Sequence, residues 1–443
     1  MLDENYFPSE HDVFIKEPNM NEKTFEAYKN KIIAISKNAQ RPGERGKIRT
    51  KVISSEGVIF ALLDEKVDEY NALIKGLLKE NDWSEKFSEK YIEKALNSII
   101  ARVIQSLEKQ KDTMDLLKNL INDLVNYNQE QIVLVPLSGI VMQLDSIQLG
   151  KVTIYTITKE RAEELFAKIE TIILSTRHTE EEKQQMIQTE REYFLRGIQN
   201  NVCAELRMIA EPGRAQERAE EETRRALEIL RYSISSLYPD NCRISVSLMG
   251  EITSTPRWTP VISSDCKSFT WNSQVIGPLT PFELRDDKIN KMERIGASKL
   301  SDILAKPEKQ LTDFEKTLLR ALHWFSSSLT QDEIENQLLN MITCLEALLT
   351  PRDRNPIGTA IAEGVAILTT TGFENRIILK KKVQKIYSLR SAVSHGWKKE
   401  IFESDVKELR EISKTLIKTM IERKNEFKSQ KDILDWIEKQ RLS

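Results

Sequence analysis

The chain has 443 residues, enough for two or three domains with a core in each. Hydrophobic residues at 40% and charged residues at 30% are the balance of a soluble, helix-rich protein. The formal net charge of −2 excludes a global attraction to nucleic acid or to an anionic membrane, so any nucleic-acid site has to be a local patch.

The start, Met1 to Phe14, is acidic and lacks the pattern of a signal peptide. No apolar stretch reaches the roughly 18 residues of a spanning helix. A cytoplasmic protein with no membrane contact is expected. Cys203, Cys242, Cys266 and Cys344 are scattered and unpaired in spacing, which argues against a disulfide framework and a structural zinc site.

Residues 1 to about 55 read as irregular and polar, with a basic loop punctuated by glycine and proline from Arg41 to Lys51. From Val58 to Glu80, apolar residues recur at three- and four-residue steps, predicting an amphipathic helix. A longer helical pattern runs from about Glu85 to Tyr127, broken near Lys109 to Asp112. The segments Gln131–Met142 and Lys151–Thr158 are β-branched and bounded by turn residues, as strands are. Helices are predicted at Lys159–Leu174 and Glu180–Gln199, a strand at Asn201–Ile209, and a charged helix at Ala215–Leu237. The run of charges from Arg214 to Arg225 reads as an exposed face with alternating ion pairs. Strand character returns at Arg243–Thr253, and two short strands are predicted between Trp258 and Pro281.

Helices follow at 311–329, 331–349, 357–370, 373–394 and 403–427, with a short one at 430–440. The expected fold class is therefore α+β and predominantly helical, an all-α C-terminal bundle after a helical N-terminal segment and a small mixed α/β domain. The expected domains are 1–130, helical; 131–300, α+β, sensing or regulatory; and 301–443, the bundle.

The stretch Lys380–Lys399 carries the chemistry. Between Arg376 and Lys399 stand eight basic residues and no Asp or Glu, and Lys381, Lys382, Lys385, Lys398 and Lys399 form a candidate RNA footprint. His395 follows Arg390 by five residues at the end of a helical pattern that Gly396 closes. A histidine titrates near neutrality and can move a proton to or from a ribose 2′-hydroxyl or a leaving oxygen; an arginine stays charged and holds phosphate oxygens. On a straight helix, positions five apart point roughly 140° away from each other. Arg390 and His395 converge only if the helix ends near Ser394 or if two subunits share the site. In a purely structural reading Arg390 pairs with Glu346 and His395 caps a helix terminus. His323, beside Trp324, reads as a packed helix residue, and His11 and His178 as polar surface residues without partners. No Walker-type glycine loop, metal-ligand spacing or serine-hydrolase arrangement is present, so no cofactor and no metal is expected.

Ile386-Tyr-Ser-Leu-Arg-Ser-Ala-Val-Ser-His-Gly396 resembles the signature helix of Apea-like HEPN domains, in which an arginine and a histidine follow a tyrosine and a glycine follows the histidine. Ala321-Leu-His-Trp324 and Cys344-Leu-Glu-Ala-Leu-Leu349 extend the resemblance to two further helices, over roughly residues 311–427. It implies a bundle that forms a homodimer and faces two Arg/His motifs across a cleft. It also implies metal-independent endoribonuclease activity on RNA in prokaryotic antiphage defence or as a toxin. Arg390 and His395 take the catalytic positions, with Ser391, Tyr387 and Glu346 in support. Ser391 departs from the Asn, Asp or His common after the arginine. The first two thirds are expected to answer a phage-derived or protein trigger. The competing expectation is a non-catalytic dimerisation or RNA-binding module within a multi-protein defence complex.

Overall fold

The computed structural model describes residues 20–39, 51–62, 64–106, 109–238, 244–251, 256–262, 269–275, 281–350, 356–394 and 400–442. Two compact units divide the chain: Met1–Ile132 with Arg207–Glu217, and Val133–Leu206 with Arg218–Ser443. The whole is a predominantly helical α+β protein, as the pattern of predicted elements implies. Among the described residues no helix is long and apolar enough to cross a membrane.

In the first unit, two elements differ from the sequence reading. The segment read as irregular contains α1 (Glu22–Lys37), started by the Asn21 side chain, which accepts from the Lys23 amide at 3.0 Å. Its core face repeats at helical spacing through Tyr28, Ile32 and Ile35, all buried. The second difference is a hairpin of β1 (Lys51–Ser55) and β2 (Val58–Leu62), paired antiparallel with Ser55 opposite Val58. Its two-residue turn, Glu56 and Gly57, has φ of 50° and 73°. Positive values at both positions are what a tight hairpin needs to match the twist of its strands. The helix expected from Val58 thus begins only at α2 (Asp64–Lys79), because the apolar run before it pairs with β1 instead. A short apolar run fits either period, and here Ile59 is 55% exposed while Phe60 and Leu62 are buried. Helices α3 (Glu89–Gln105) and α4 (Lys109–Val125) complete the unit, split near the expected break. Leu73, Leu77, Leu96, Ile100 and Leu117 close its core. The basic loop at 41–50 lies outside the described residues.

The α+β part of the chain starts with β3 (Glu130–Ser138) and β4 (Ile140–Met142). Between them Gly139 has φ of 74°, and a Cβ there would stand 2.5 Å from the Ser245 carbonyl oxygen, so only glycine fits. Strands β5 (Ile147–Leu149) and β6 (Val152–Thr156), helices α5 (Lys159–Leu174) and α6 (Glu180–Ile198), strand β7 (Val202–Ile209) and helix α7 (Pro212–Leu237) follow. A five-stranded sheet in the order β5-β6-β7-β3-β8 forms, β8 being only Ser247–Leu248. The longer strand expected at 243–253 is thus two residues within its described part, where Gly250 turns the chain at φ 91°. Ile154 of β6 faces Ile147 of β5 and Ala204 of β7, both pairings antiparallel. Strands β9 (Pro256–Ile262) and β10 (Phe269–Val275), near the two expected short strands, pair antiparallel, and β11 (Phe282–Leu284) runs parallel to β4. Helices α8 (Asp286–Arg294) and α9 (Ala297–Ala305) lead to the bundle.

The bundle comprises α10 (Asp313–Ser328), α11 (Ile334–Leu349), α12 (Ile357–Thr369), α13 (Phe373–Ser394), α14 (Glu403–Glu422) and α15 (Gln430–Leu442). All six start within three residues of where the sequence periodicity puts them, and α14 alone ends well short of its expected range. Thr312 and Glu315 cap the start of α10 reciprocally. Leu318, Leu322 and Phe325 give α10 a buried stripe, and Leu338, Met341, Leu345 and Leu348 do so for α11. Each such side chain contributes about 1.5–3 kcal/mol on burial. α14 stops earlier than its apolar pattern, because Arg423 turns onto Trp436 of α15 at 3.8 Å from the ring centroid and pairs with Glu426.

Candidate active site on helix α13

Helix α13 lies against α11 and α12 and buries Val383, Ile386 and Leu389 at three-residue steps. That burial turns the neighbouring positions 387 and 390 toward α11, where Glu346 follows the buried Leu345. The Tyr387 hydroxyl donates to Glu346 Oε1 at 2.7 Å. Arg390 Nη2 donates to Glu346 Oε2 at 3.3 Å, and its Nε stands 3.3 Å from Oε1. The carboxylate thus meets one edge of the guanidinium with both oxygens, the geometry that fixes an arginine in plane. The guanidinium also lies over the Tyr387 ring, 5.9 Å from its centroid.

Burial, with the Glu346 hydrogen bond and charge adding to it, pushes the Tyr387 hydroxyl up to about 12. Tyr387 therefore stays a donor at neutral pH and holds Glu346 in place. The ring itself is fixed by α12: a Cβ on Gly358 would come within 2.5 Å of Tyr387 Cδ1. Arg390 keeps 43% of its side chain accessible, against 17% for Glu346. Three of the five guanidinium N–H groups remain outside the Glu346 fork.

Of the expected site residues, the fold brings Arg390, Tyr387 and Glu346 together. His395, Gly396, Lys398 and Lys399 lie outside the described residues, as does the side chain of Ser391. α13 ends at Ser394, the residue before His395. The lysines divide. Lys381 is exposed and has no ion pair among the described residues. Lys382 pairs with Glu408, Lys385 with Asp405 at 3.8 Å, and the neighbouring Lys380 with Glu363 at 3.3 Å. The run without acids in sequence is thus met by carboxylates from α12 and α14.

Two histidine readings change. His323 is not packed: its side chain is 53% accessible and its Nδ1 stands 2.6 Å from Glu228 Oε1 of α7. His178 is also partnered, 3.6 Å from Glu182. The expected ion pairs along α7 are present, joining Arg225 to Glu221 and Arg224 to Glu220 and Glu251. The face is not uniformly exposed, however. Glu222 is buried between Lys151 at 2.9 Å and Arg218 at 3.4 Å. Cys203 and Cys344 are buried free thiols, and burial pushes Cys203 up to about 12, far from a reactive thiolate at neutral pH.

Comparison with family models, with curated proteins and with solved structures found no match to this chain.

Proposed function

We propose that the bundle of α10–α15 is a HEPN-type, metal-independent endoribonuclease in which Arg390 and His395 act on the scissile phosphate. Its setting is antiphage defence or toxicity, and the remainder of the chain senses a trigger or restrains the nuclease. The observation that carries the reading is the preorganised Arg390. Glu346 fixes one edge of its guanidinium while the rest stays accessible near the end of α13, five residues before His395 in the sequence. A cation held in advance stabilises charge that develops on non-bridging phosphate oxygens without paying for its orientation during reaction.

In the proposed step, the ribose 2′-oxygen loses its proton and bonds to phosphorus, and the bond from phosphorus to the 5′-oxygen breaks. The leaving oxygen gains a proton. His395 is the group that carries protons in this scheme, on one or both sides of the phosphate. The products are a 2′,3′-cyclic phosphate and a 5′-hydroxyl. A homodimer that faces two α13 termini supplies two such histidines.

A second reading, a bundle that binds RNA or a partner without cutting, is favoured by one specific observation. Three of the lysines on α13 and Arg390 itself already have carboxylate partners, as a structural helix would.

The end groups of the RNA fragments separate the two. Expression of the wild type is expected to be toxic and to leave fragments with 2′,3′-cyclic phosphates. His395→Ala is expected to be harmless and to leave RNA intact. Intact RNA with both proteins, also after addition of phage-infected extract, would favour the binding module.

A further inference from the structure

Helices α7 and α10 each present four residues at steps of three, four and seven to one groove: Glu221, Arg224, Arg225 and Glu228 on α7, and Lys316, Leu319, Arg320 and His323 on α10. Leu304, Glu308 and Leu311 also line it, and its volume is about 540 Å³. We infer that this groove is a binding site for a nucleotide-sized phosphorylated small molecule, with Lys316, Arg320 and His323 holding the phosphate and the leucines under the ring system.

Four observations carry the inference. The volume is that of a small-ligand site, whose usual range is roughly 300–1,000 Å³. Lys316 and Arg320 are exposed, and neither has an ion pair among the described residues, whereas Arg224 and Arg225 on the opposite wall are held by Glu220, Glu251 and Glu221. The groove therefore has two oriented arginines on one side and two uncommitted cations on the other.

His323 adds a third donor from the same stripe of α10. The buried Glu228 carboxylate accepts from its Nδ1, which leaves Nε2 on the other side of the ring. The hydrogen bond from Glu228 raises the imidazole above its ordinary value, although burial and the Arg231 and Arg225 charges oppose it. Arg231 is itself directed away, to the Val246 carbonyl at 2.8 Å and to Ser326 at 3.3 Å.

The apolar lining is the fourth observation. Leu304, Leu311 and Leu319 offer apolar surface beside the cations, which suits a ligand with a flat apolar body and a charged end rather than inorganic phosphate alone. Glu308 is the one lining carboxylate without an ion pair among the described residues, and it provides an acceptor for an N–H donor such as the exocyclic amine of a base. A continuous RNA strand needs a row of cations along its backbone. The short pair at 316 and 320 favours a compact ligand.

The full chain titrated calorimetrically with pyrophosphate, AMP and ATP at pH 6 tests the proposal. At least one nucleotide is expected to bind, more tightly than pyrophosphate. Lys316→Ala/Arg320→Ala is expected to weaken that binding by roughly tenfold or more, since charge-assisted bonds to phosphate are lost. His323→Gln should weaken it a few-fold at pH 6 and leave it unchanged at pH 9. Both changes fall on an exposed helix face, so the fold is retained, and a Lys90→Ala control on α3 should bind as the wild type does. Arg390→Ala should also bind normally, which separates this site from the proposed nuclease. Failure of all three probes to bind, or binding unaffected by the double variant, would each overturn the proposal.

Discussion

The exposed face of α13 and the α10 wall of the groove both carry cations at helical spacing, yet they are electrostatically different. On α13, Lys380, Lys382, Lys385 and Arg390 each meet a carboxylate from another helix. On α10, Lys316 and Arg320 meet none among the described residues. The richer run in sequence is thus the more neutralised surface, and the sparser pair is the open one. What an anion encounters is decided by the neighbouring helices rather than by the helix that carries the charges. Pairing also does two jobs. A clamped Arg390 is poorer as a general attractor of RNA and better as a positioned one, because its plane is set before substrate arrives.

Among changes that leave Arg390 and His395 in place, removing the clamp gives the largest expected effect. Glu346→Gln keeps the shape and removes the charge that aligns Arg390, and RNA cleavage is expected to fall by about tenfold to a hundredfold, the range that follows from misplacing a reacting group. The KM should change less than kcat, because the loss is one of orientation. A raised KM with kcat unchanged would mean that Glu346 serves RNA binding instead.

Gly358→Ala sharpens the same point from the other side of Tyr387. The new methyl group has to displace a ring held 2.5 Å away, at a stability cost of about 1–3 kcal/mol. Thermal unfolding measures it, and cleavage should drop with it because Tyr387 no longer reaches Glu346. An unchanged melting temperature would show that α12 and α13 separate easily here.

The lysines provide a smaller test. Lys381→Ala, which removes an unmatched charge, should weaken RNA binding about two- to threefold and reduce its salt slope by about one. Lys382→Ala should do less, since Glu408 already matches that charge. The reverse order would break the comparison drawn above.

The smallest effect is in the groove and concerns pH. Glu228 raises His323, so this pair's contribution to stability is full below the ordinary histidine value, about 6.5. It is lost as the pH rises through the higher folded-state value. Because His323 is half exposed, solvent screens the effect. A slight fall in melting temperature across that window is expected, and His323→Gln should flatten it.

Much of the bundle was legible because long amphipathic helices repeat their signal over several turns, and α10 to α13 lie at their expected positions. The Arg390–Glu346 pair was also anticipated, since the two residues belong to helices that pack. The first unit was less legible. Its hairpin depends on a Glu56-Gly57 turn whose first residue is not a usual choice for positive φ, and α1 sets its large apolar residues, Phe25, Tyr28, Ile32, Ile33 and Ile35, within a polar stretch. His323 was misread because its partner, Glu228, lies on α7, far away in the chain. The spacing of Lys316, Arg320 and His323 was the one local signal for that site. It does not distinguish a binding wall from a solvated face.

The most direct test of the nuclease proposal is cleavage of total cellular RNA in EDTA by the wild type, Arg390→Ala and His395→Ala, with folding of each checked by circular dichroism. The account predicts fragments from the wild type and a loss of about two to three orders of magnitude in both variants, the usual cost of removing a group that stabilises developing charge or moves a proton. Wild-type cleavage that EDTA abolishes, or that either variant retains in full, would contradict it.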